Sequence, residues 1–437
     1  MTERTGQRPE RPSTSASVSP SSPTSQTSPS PEPSVPSTAP PSAPSSSAPS
    51  APSPARSCSA GAGVGAAAGG PGPVDVALAP PRTALSPPRP VGARRMWPRS
   101  FADRLTAPLP GVRAMARLAR EGAMRPMADT LADEIPKLPF APGPMPDPAP
   151  DTLAVTWAGH ASWVVRIGGL TVLTDPVWSR KILGTPARVT PVGVAWQDLP
   201  VIDAVVISHN HYDHLDLPTL RRLPRGTPLF VPAGMGEWCR RRGFTVVTEL
   251  DWWEGAELPA PSGTSGSGDT PGSGDTPGDD GGSRRGARVR FDFVPSHHWS
   301  KRTLTDTCRS LWGGWVLTDQ HDQRLYFAGD TGYGHWFTEI GRRYPGIDLA
   351  MLPIGAYDPR WMLRPVHTDP EEAVLACRDL GARRMAPMHW STFLLSGEPP
   401  LEPLIRVRAA WREAGRDRED LWDLPVGASR VLERATR

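Results

Sequence analysis

Three observations predict an α/β sandwich for most of this chain. From residue 153 onward, short apolar runs rich in β-branched side chains alternate with segments of helical period, as layered sheets and helices require. Turn signals such as Gly168-Gly169 and Asp175-Pro176 punctuate the runs. Setting aside a biased N-terminal stretch, about 340 residues of ordinary composition remain, enough for one large domain.

The elements follow in order. Residues 1–95 are Ser, Pro, Ala and Thr with almost no large apolar side chain, and are predicted as a disordered tail. The folded domain is placed at 96–437 and opens with a helical arm at 96–150. Within the arm, Met115, Leu118, Met124, Met127, Leu131 and Ile135 recur at spacings near three and four, predicting one or two amphipathic helices broken near Arg125-Pro126. Arg113, Arg117 and Arg120 accompany them, which suits an arm packed on the domain or, as the alternative, contact with a membrane surface. Strands are expected at 153–157, 162–167 and 170–174, joined by Ala158-Gly159-His160-Ala161 and Gly168-Gly169, then at 201–207, 228–231 and 245–248. Helices are expected at 217–223 and 234–242. At 259–286 a hexapeptide, Gly266-Ser267-Gly268-Asp269-Thr270-Pro271, repeats at once, which predicts a flexible insert. Strands resume at 289–294, 313–318, 324–328, 349–352 and 383–388, with a last one at 429–432. Helices are expected at 370–380, capped by Thr368 or Asp369, and at 401–415.

Composition excludes several classes of function. The formal charge of +3 is small for 437 residues and the arginines are scattered, so no nucleic-acid groove is indicated. No apolar run approaches the ~20 residues that span a bilayer. Met1-Thr2-Glu3-Arg4 opens no secretion signal, and Cys58, Cys239, Cys308 and Cys377 form no Cys-x-x-Cys pair. Reduced thiols and a cytoplasmic protein, peripheral to a membrane at most, are expected.

The chemistry concentrates in Ser208-His209-Asn210-His211-Tyr212-Asp213-His214-Leu215-Asp216, directly after the apolar run 203–207. His209 and His211 can converge on one cation, and Asp213 and His214 on a second. Imidazole and carboxylate suit zinc, with iron or manganese as alternatives. A solvated His-rich loop is the plain alternative, and four donors in six residues argue against it. None of the ten histidines precedes His160. His297 and His298, Asp330 and His389 again follow expected strands, and strand ends at one edge of an α/β sandwich are where ligands gather. A site closed by His298, Asp330 and His389 would hold two cations with one carboxylate bridging them.

The order His-x-His-x-Asp-His, then His, Gly-Asp-Thr and His, resembles the metallo-β-lactamase superfamily. Within it the chain is similar to the N-acylphosphatidylethanolamine-hydrolysing phospholipase D family. The stretches that carry the likeness include 207–216, Glu249-Leu250-Asp251-Trp252-Trp253, 298–304, 327–333, 353–361, 367–373, His389-Trp390 and Leu401-Glu402-Pro403. The resemblance implies an αββα sandwich of two mixed β-sheets, the metallo-β-lactamase fold. It implies His209, His211 and His298 on one zinc, Asp213, His214 and His389 on the other, and Asp330 between them. His298 is preferred to His297 because the family's His-Trp pair falls on His298-Trp299.

Two such cations sharing a water make hydroxide near neutral pH and clamp a phosphate oxygen. The implied reaction is phospholipase D-type hydrolysis of N-acylphosphatidylethanolamine to phosphatidic acid and an N-acylethanolamine. Asp330 and His367 are the candidate catalytic residues, His367 polarising the phosphate or protonating the leaving oxygen. Asp216 is expected to orient a ligand imidazole or cap a helix, and His160 to give buried support. Tyr212 is read as packing or rim, and His321 and His335 as surface. The partner is then a phospholipid or small phosphodiester, and analogy adds a homodimer. The alternatives are hydrolysis of a lactone or of a small or cyclic phosphodiester, and a non-catalytic metal-binding protein.

Overall fold

Alternation along the strands builds this molecule. The structure is a computed structural model describing residues 96–122, 126–149, 151–260 and 288–432. The expected tail at 1–95 lies outside the described residues, as does the insert 259–286 apart from Pro259 and Ala260. The arm forms α1 (Val112–Glu121) and α2 (Ala128–Glu134), with part of the expected break at 123–125 outside the described residues. Then come β1 (Leu153–Gly159), β2 (Ser162–Ile167), β3 (Leu170–Thr174), β4 (Ala204–Val206), α3 (Leu217–Leu220), β5 (Leu229–Pro232), α4 (Gly236–Arg240) and β6 (Val247–Leu250). The second half holds β7 (Glu254–Pro259), β8 (Arg288–Val294), β9 (Gly314–Asp319), β10 (Arg324–Phe327), α5 (Trp336–Arg343) and β11 (Leu349–Pro353). It ends with α6 (Arg360–Leu363), α7 (Pro370–Asp379), β12 (Arg384–Met388), α8 (Glu402–Glu413) and β13 (Ser429–Leu432).

Two mixed sheets result, in the orders β13-β1-β2-β3-β4-β5-β6 and β12-β11-β10-β9-β8-β7. Each begins antiparallel and turns parallel: β3 to β6 run parallel in one, β10 to β12 in the other. Strands buried on both faces must be apolar at every position. β4 shows this: Ala204 and Val206 enter the core between the sheets, while Val205 and the following Ile207 join the cluster with Leu220 of α3, Leu223 beyond it and Cys239 of α4. Across the core, the Phe230 and Phe291 rings stack at 4.2 Å. Trp315, fully buried on β9, donates from Nε1 to the Ile207 carbonyl at 3.0 Å, tying one sheet to the strand end that opens the histidine loop of the other.

The differences from expectation have local causes. The expected strand at 201–207 pairs only as β4, and Val201 is 82% exposed because it precedes the sheet. α5 was not expected, since Gly341 interrupts its helical pattern. The glycine is there for close approach: a Cβ would lie 2.6 Å from the Leu380 carbonyl oxygen at the end of α7. β7 carries Gly255 and Pro259 and little β-forming sequence, and it survives as an edge strand paired with β8. The arm packs on the domain. Arg117 lies 4.0 Å over the Trp361 ring, and Trp361 Nε1 donates to Glu121 at 3.1 Å. No helix among the described residues is long and apolar enough to cross a membrane.

Trp315→Phe deletes the cross-sheet hydrogen bond and leaves a void. Chemical denaturation should show a loss of about 1–3 kcal/mol.

Candidate metal centre

Strand ends assemble the site. The loop after β4 carries His209, His211, Asp213 and His214. Segments after β8, β10 and β12 deliver His298, Asp330 and His389. Four groups of donor atoms lie within 4.8 Å spans among the described residues. The two larger are His209, His211, His298 and Asp330, and His160, Asp213, His214 and His389; Asp175, His209 and His214, and Asp330, His367 and His389, make the smaller ones.

In the first group, His209 Nε2 lies 2.8 Å from His211 Nδ1, which lies 3.2 Å from His298 Nε2. Asp330 Oδ2 stands 3.8 Å from His209 Nε2 and 3.7 Å from His298 Nε2. In the second, His214 Nε2 and His389 Nε2 are 3.2 Å apart, and Asp213 Oδ2 is 3.3 and 3.4 Å from them. Asp330 belongs to both: Oδ2 is 3.2 Å from His214 Nε2 and Oδ1 is 3.0 Å from His389 Nε2. The structure thus brings together all seven residues expected as ligands, and places His298 rather than His297 among them. His297 instead turns its ring toward His335, 5.3 Å away.

The outer nitrogens explain why the inner ones converge. His214 Nδ1 is 2.7 Å from Asp175, His298 Nδ1 is 3.0 Å from the Val366 carbonyl, and His209 Nδ1 is 2.9 Å from Ser208 Oγ. An imidazole that donates outward presents a lone pair inward. Ring nitrogens held 2.8–3.2 Å apart in a buried site need a proton or a metal cation between them. The donor set, imidazoles with carboxylates, suits a divalent transition metal in each group, so the residues fit a dinuclear metal site.

Electrostatics divide the two groups. Burial holds the His209 and His298 imidazoles well below their ordinary value and His211 down to about 4, so all three are neutral ligands at pH 7. Burial would raise the Asp330 carboxyl, but the charges on His214 and His389 outweigh it and hold Asp330 well below the carboxylate range. His389 is pushed the other way, up to about 9: burial lowers it, but the Asp330 charge and the bonds to Asp213 and Asp330 prevail. Strained backbone gathers here too, with His160, Asp175, His389 and Ser391 all at positive φ.

Of the supporting residues, His160 is 1% exposed, its Nε2 3.1 Å from Asp213 Oδ2 and its ring 4.1 Å from that of His389. Asp216 does not orient an imidazole. It is the N-cap of α3, accepting from the Thr219 backbone N–H and from Ser179 Oγ. The carboxylate behind a ligand imidazole is Asp175, which also accepts from the Ser208 backbone at 2.7 Å. Its signal was present in Asp175-Pro176, an acidic residue ending the strand beside the one that feeds the histidine loop. Arg302 was likewise missed. Its Nη1 donates to the carbonyls of Asn210 and Leu215, at 3.2 and 2.7 Å, and so closes that loop. Its guanidinium covers Tyr212 at 4.0 Å, so Tyr212 is a packing residue. His367 stands beside both groups, its ring 5.2 Å from His298 and 5.6 Å from His389, and burial lowers it to about 4. His321 and His335 are exposed.

The profile of the Beta-lactamase superfamily domain matches residues 171–390. An uncharacterised Mycobacterium tuberculosis protein is 35% identical over 314 residues, 68% of this chain and 76% of its own length. The N-acyl-phosphatidylethanolamine-hydrolyzing phospholipase D 1 of Caenorhabditis elegans is 34% identical over 299 residues, 65% of this chain and 77% of the worm protein. The mitochondrial enzyme of that name from Saccharomyces cerevisiae is 36% identical over 266 residues, 59% of this chain and 52% of the yeast protein. The chain belongs to the metallo-β-lactamase superfamily, and with its buried His/Asp clusters it is a metal-dependent hydrolase.

Two carboxylates separate by role. Asp175→Asn should weaken metal retention about 10–100-fold, measured by competition with a chelator. Asp216→Ala should leave metal content unchanged and lower stability by about 1 kcal/mol through the lost cap.

Proposed function

We propose that this member of the metallo-β-lactamase superfamily hydrolyses a phospholipid phosphodiester, N-acylphosphatidylethanolamine, to phosphatidic acid and an N-acylethanolamine. Two zinc ions would be held, one by His209, His211 and His298, the other by Asp213, His214 and His389, with Asp330 shared. The observation that carries the reading is Asp330, whose two oxygens reach donors of both groups at 3.0–3.8 Å. Two relatives named for this activity, each about a third identical, support the substrate. Bound there, a pair of cations supplies a water acidic enough to act as hydroxide near pH 7 and positive charge for the phosphate.

The chain's own groups then divide the work. Phosphorus gains an oxygen from water and loses the ethanolamine oxygen, which leaves with a proton as the alcohol. Asp330 and Asp213 hold their charge in the buried site and offset that of the cations. His367 is neutral at pH 7 and meets the phosphate as an N–H donor. A lipid substrate has to be reached at a surface. The arm offers exposed Val112 and Met115 beside Arg113 for that contact.

The test incubates zinc-loaded and chelator-treated protein with N-acylphosphatidylethanolamine in mixed micelles and reads products by mass spectrometry. Phosphatidic acid and N-acylethanolamine should appear only with metal, Asp330→Ala should fall to background, and His367→Asn should slow turnover about 100-fold with metal content intact. A protein that retains both metals yet releases neither product contradicts the phospholipid reading and moves the substrate to lactones or small phosphodiesters.

A further inference from the structure

A second polar site adjoins the histidine loop without sharing a residue of either donor group. It is a cavity of about 350 Å³, at the lower end for small-ligand sites, lined by Asn210, Arg242, Arg302, Arg309 and Ser310 among others. Two carboxylates also line it, and both are engaged. Glu237 pairs with Arg241 at 2.9 Å, and Asp306 Oδ1 accepts the backbone N–H groups of Arg302 and Thr303 at 2.9 and 2.7 Å. Among the described residues, no carboxylate lies within 4.0 Å of the guanidinium of Arg242, Arg302 or Arg309. Arg242 spends one N–H on the Trp238 carbonyl at 2.9 Å and lies 3.8 Å over the Trp238 ring. Arg302 spends Nη1 on two loop carbonyls and keeps its remaining N–H groups. Asn210 and Ser310 line the cavity and are only 7% and 4% exposed.

We infer that this cavity is an anion site for a phosphate-type oxyanion, held by Arg242, Arg302 and Arg309. Arg241, Arg242, Arg302 and Arg309 outnumber Glu237 and Asp306 in the lining, so the concavity is net positive, and planar guanidinium forks match tetrahedral oxyanions. The volume admits a free phosphate or a phosphorylated headgroup, and no acyl chain need enter. Because Arg302 also fastens Asn210 and Leu215, the occupant would sit one side chain from the loop that carries four of the candidate ligands. The site does not depend on the phospholipid reading.

The test uses the metal-loaded full chain. Inorganic phosphate is titrated calorimetrically into wild type and into the double variant Arg242→Gln, Arg309→Gln, neither residue belonging to the metal centre. Wild type should bind one phosphate more per chain than the variant, or the variant's affinity at that site should be at least ~10-fold weaker. Crystals of the wild type with phosphate should show it between the three arginines. Vesicles of phosphatidic acid in phosphatidylcholine form the second arm. Binding lost in the double variant, without a response to free phosphate, assigns the site to a lipid headgroup. Identical behaviour of wild type and variant in both arms overturns the proposal, as does crystal density at high phosphate with no matching titration.

Discussion

Burial of converging metal-binding donors is the constraint on which this structure turns. Five imidazole nitrogens and two carboxylates point at a common volume from which water is largely excluded, at separations that only intervening positive charge makes favourable. Each outer hydrogen bond, to Asp175, Ser208 or the Val366 carbonyl, exists to keep an inner lone pair facing its neighbours. The fold can hold such a cluster because its donors sit on strand ends anchored in a double-faced apolar core, where displacement would cost packing on both sides.

The two sheets supply those donors by the same device. In each, antiparallel strands give way to parallel ones, and the parallel strands release their chains toward the site; His298 alone follows an antiparallel strand, β8. β4 opens onto the loop with His209, His211, Asp213 and His214, while β10 and β12 release Asp330 and His389. Asp330 lies where the two donor groups meet. One carboxylate therefore couples chemistry contributed by both halves of the chain.

Much of this was legible in the sequence because the periods are strong and the turns explicit. β2 and β3 fall on their expected bounds, since Gly168-Gly169 and Asp175-Pro176 punctuate them. The donor residues were legible by density and by position after strands. What the sequence left open is what depends on three-dimensional neighbours. Gly341 reads as a helix breaker until α7 is seen against it. Asp216 and Asp175 are alike as residue types, and only the fold places one at a helix N-terminus and the other behind His214. Arg302 lies 87 residues from the Leu215 carbonyl it holds, a separation no local pattern reveals.

The central claim is that this cluster holds two cations around Asp330. Anomalous diffraction at the zinc edge, on crystals of the zinc-loaded chain, tests it most directly. The account requires two peaks per chain, one at about 2.0–2.2 Å from nitrogens of His209, His211 and His298, the other at that distance from Asp213, His214 and His389, with Asp330 between. A single peak, or a pair that leaves Asp330 uncoordinated, would contradict it.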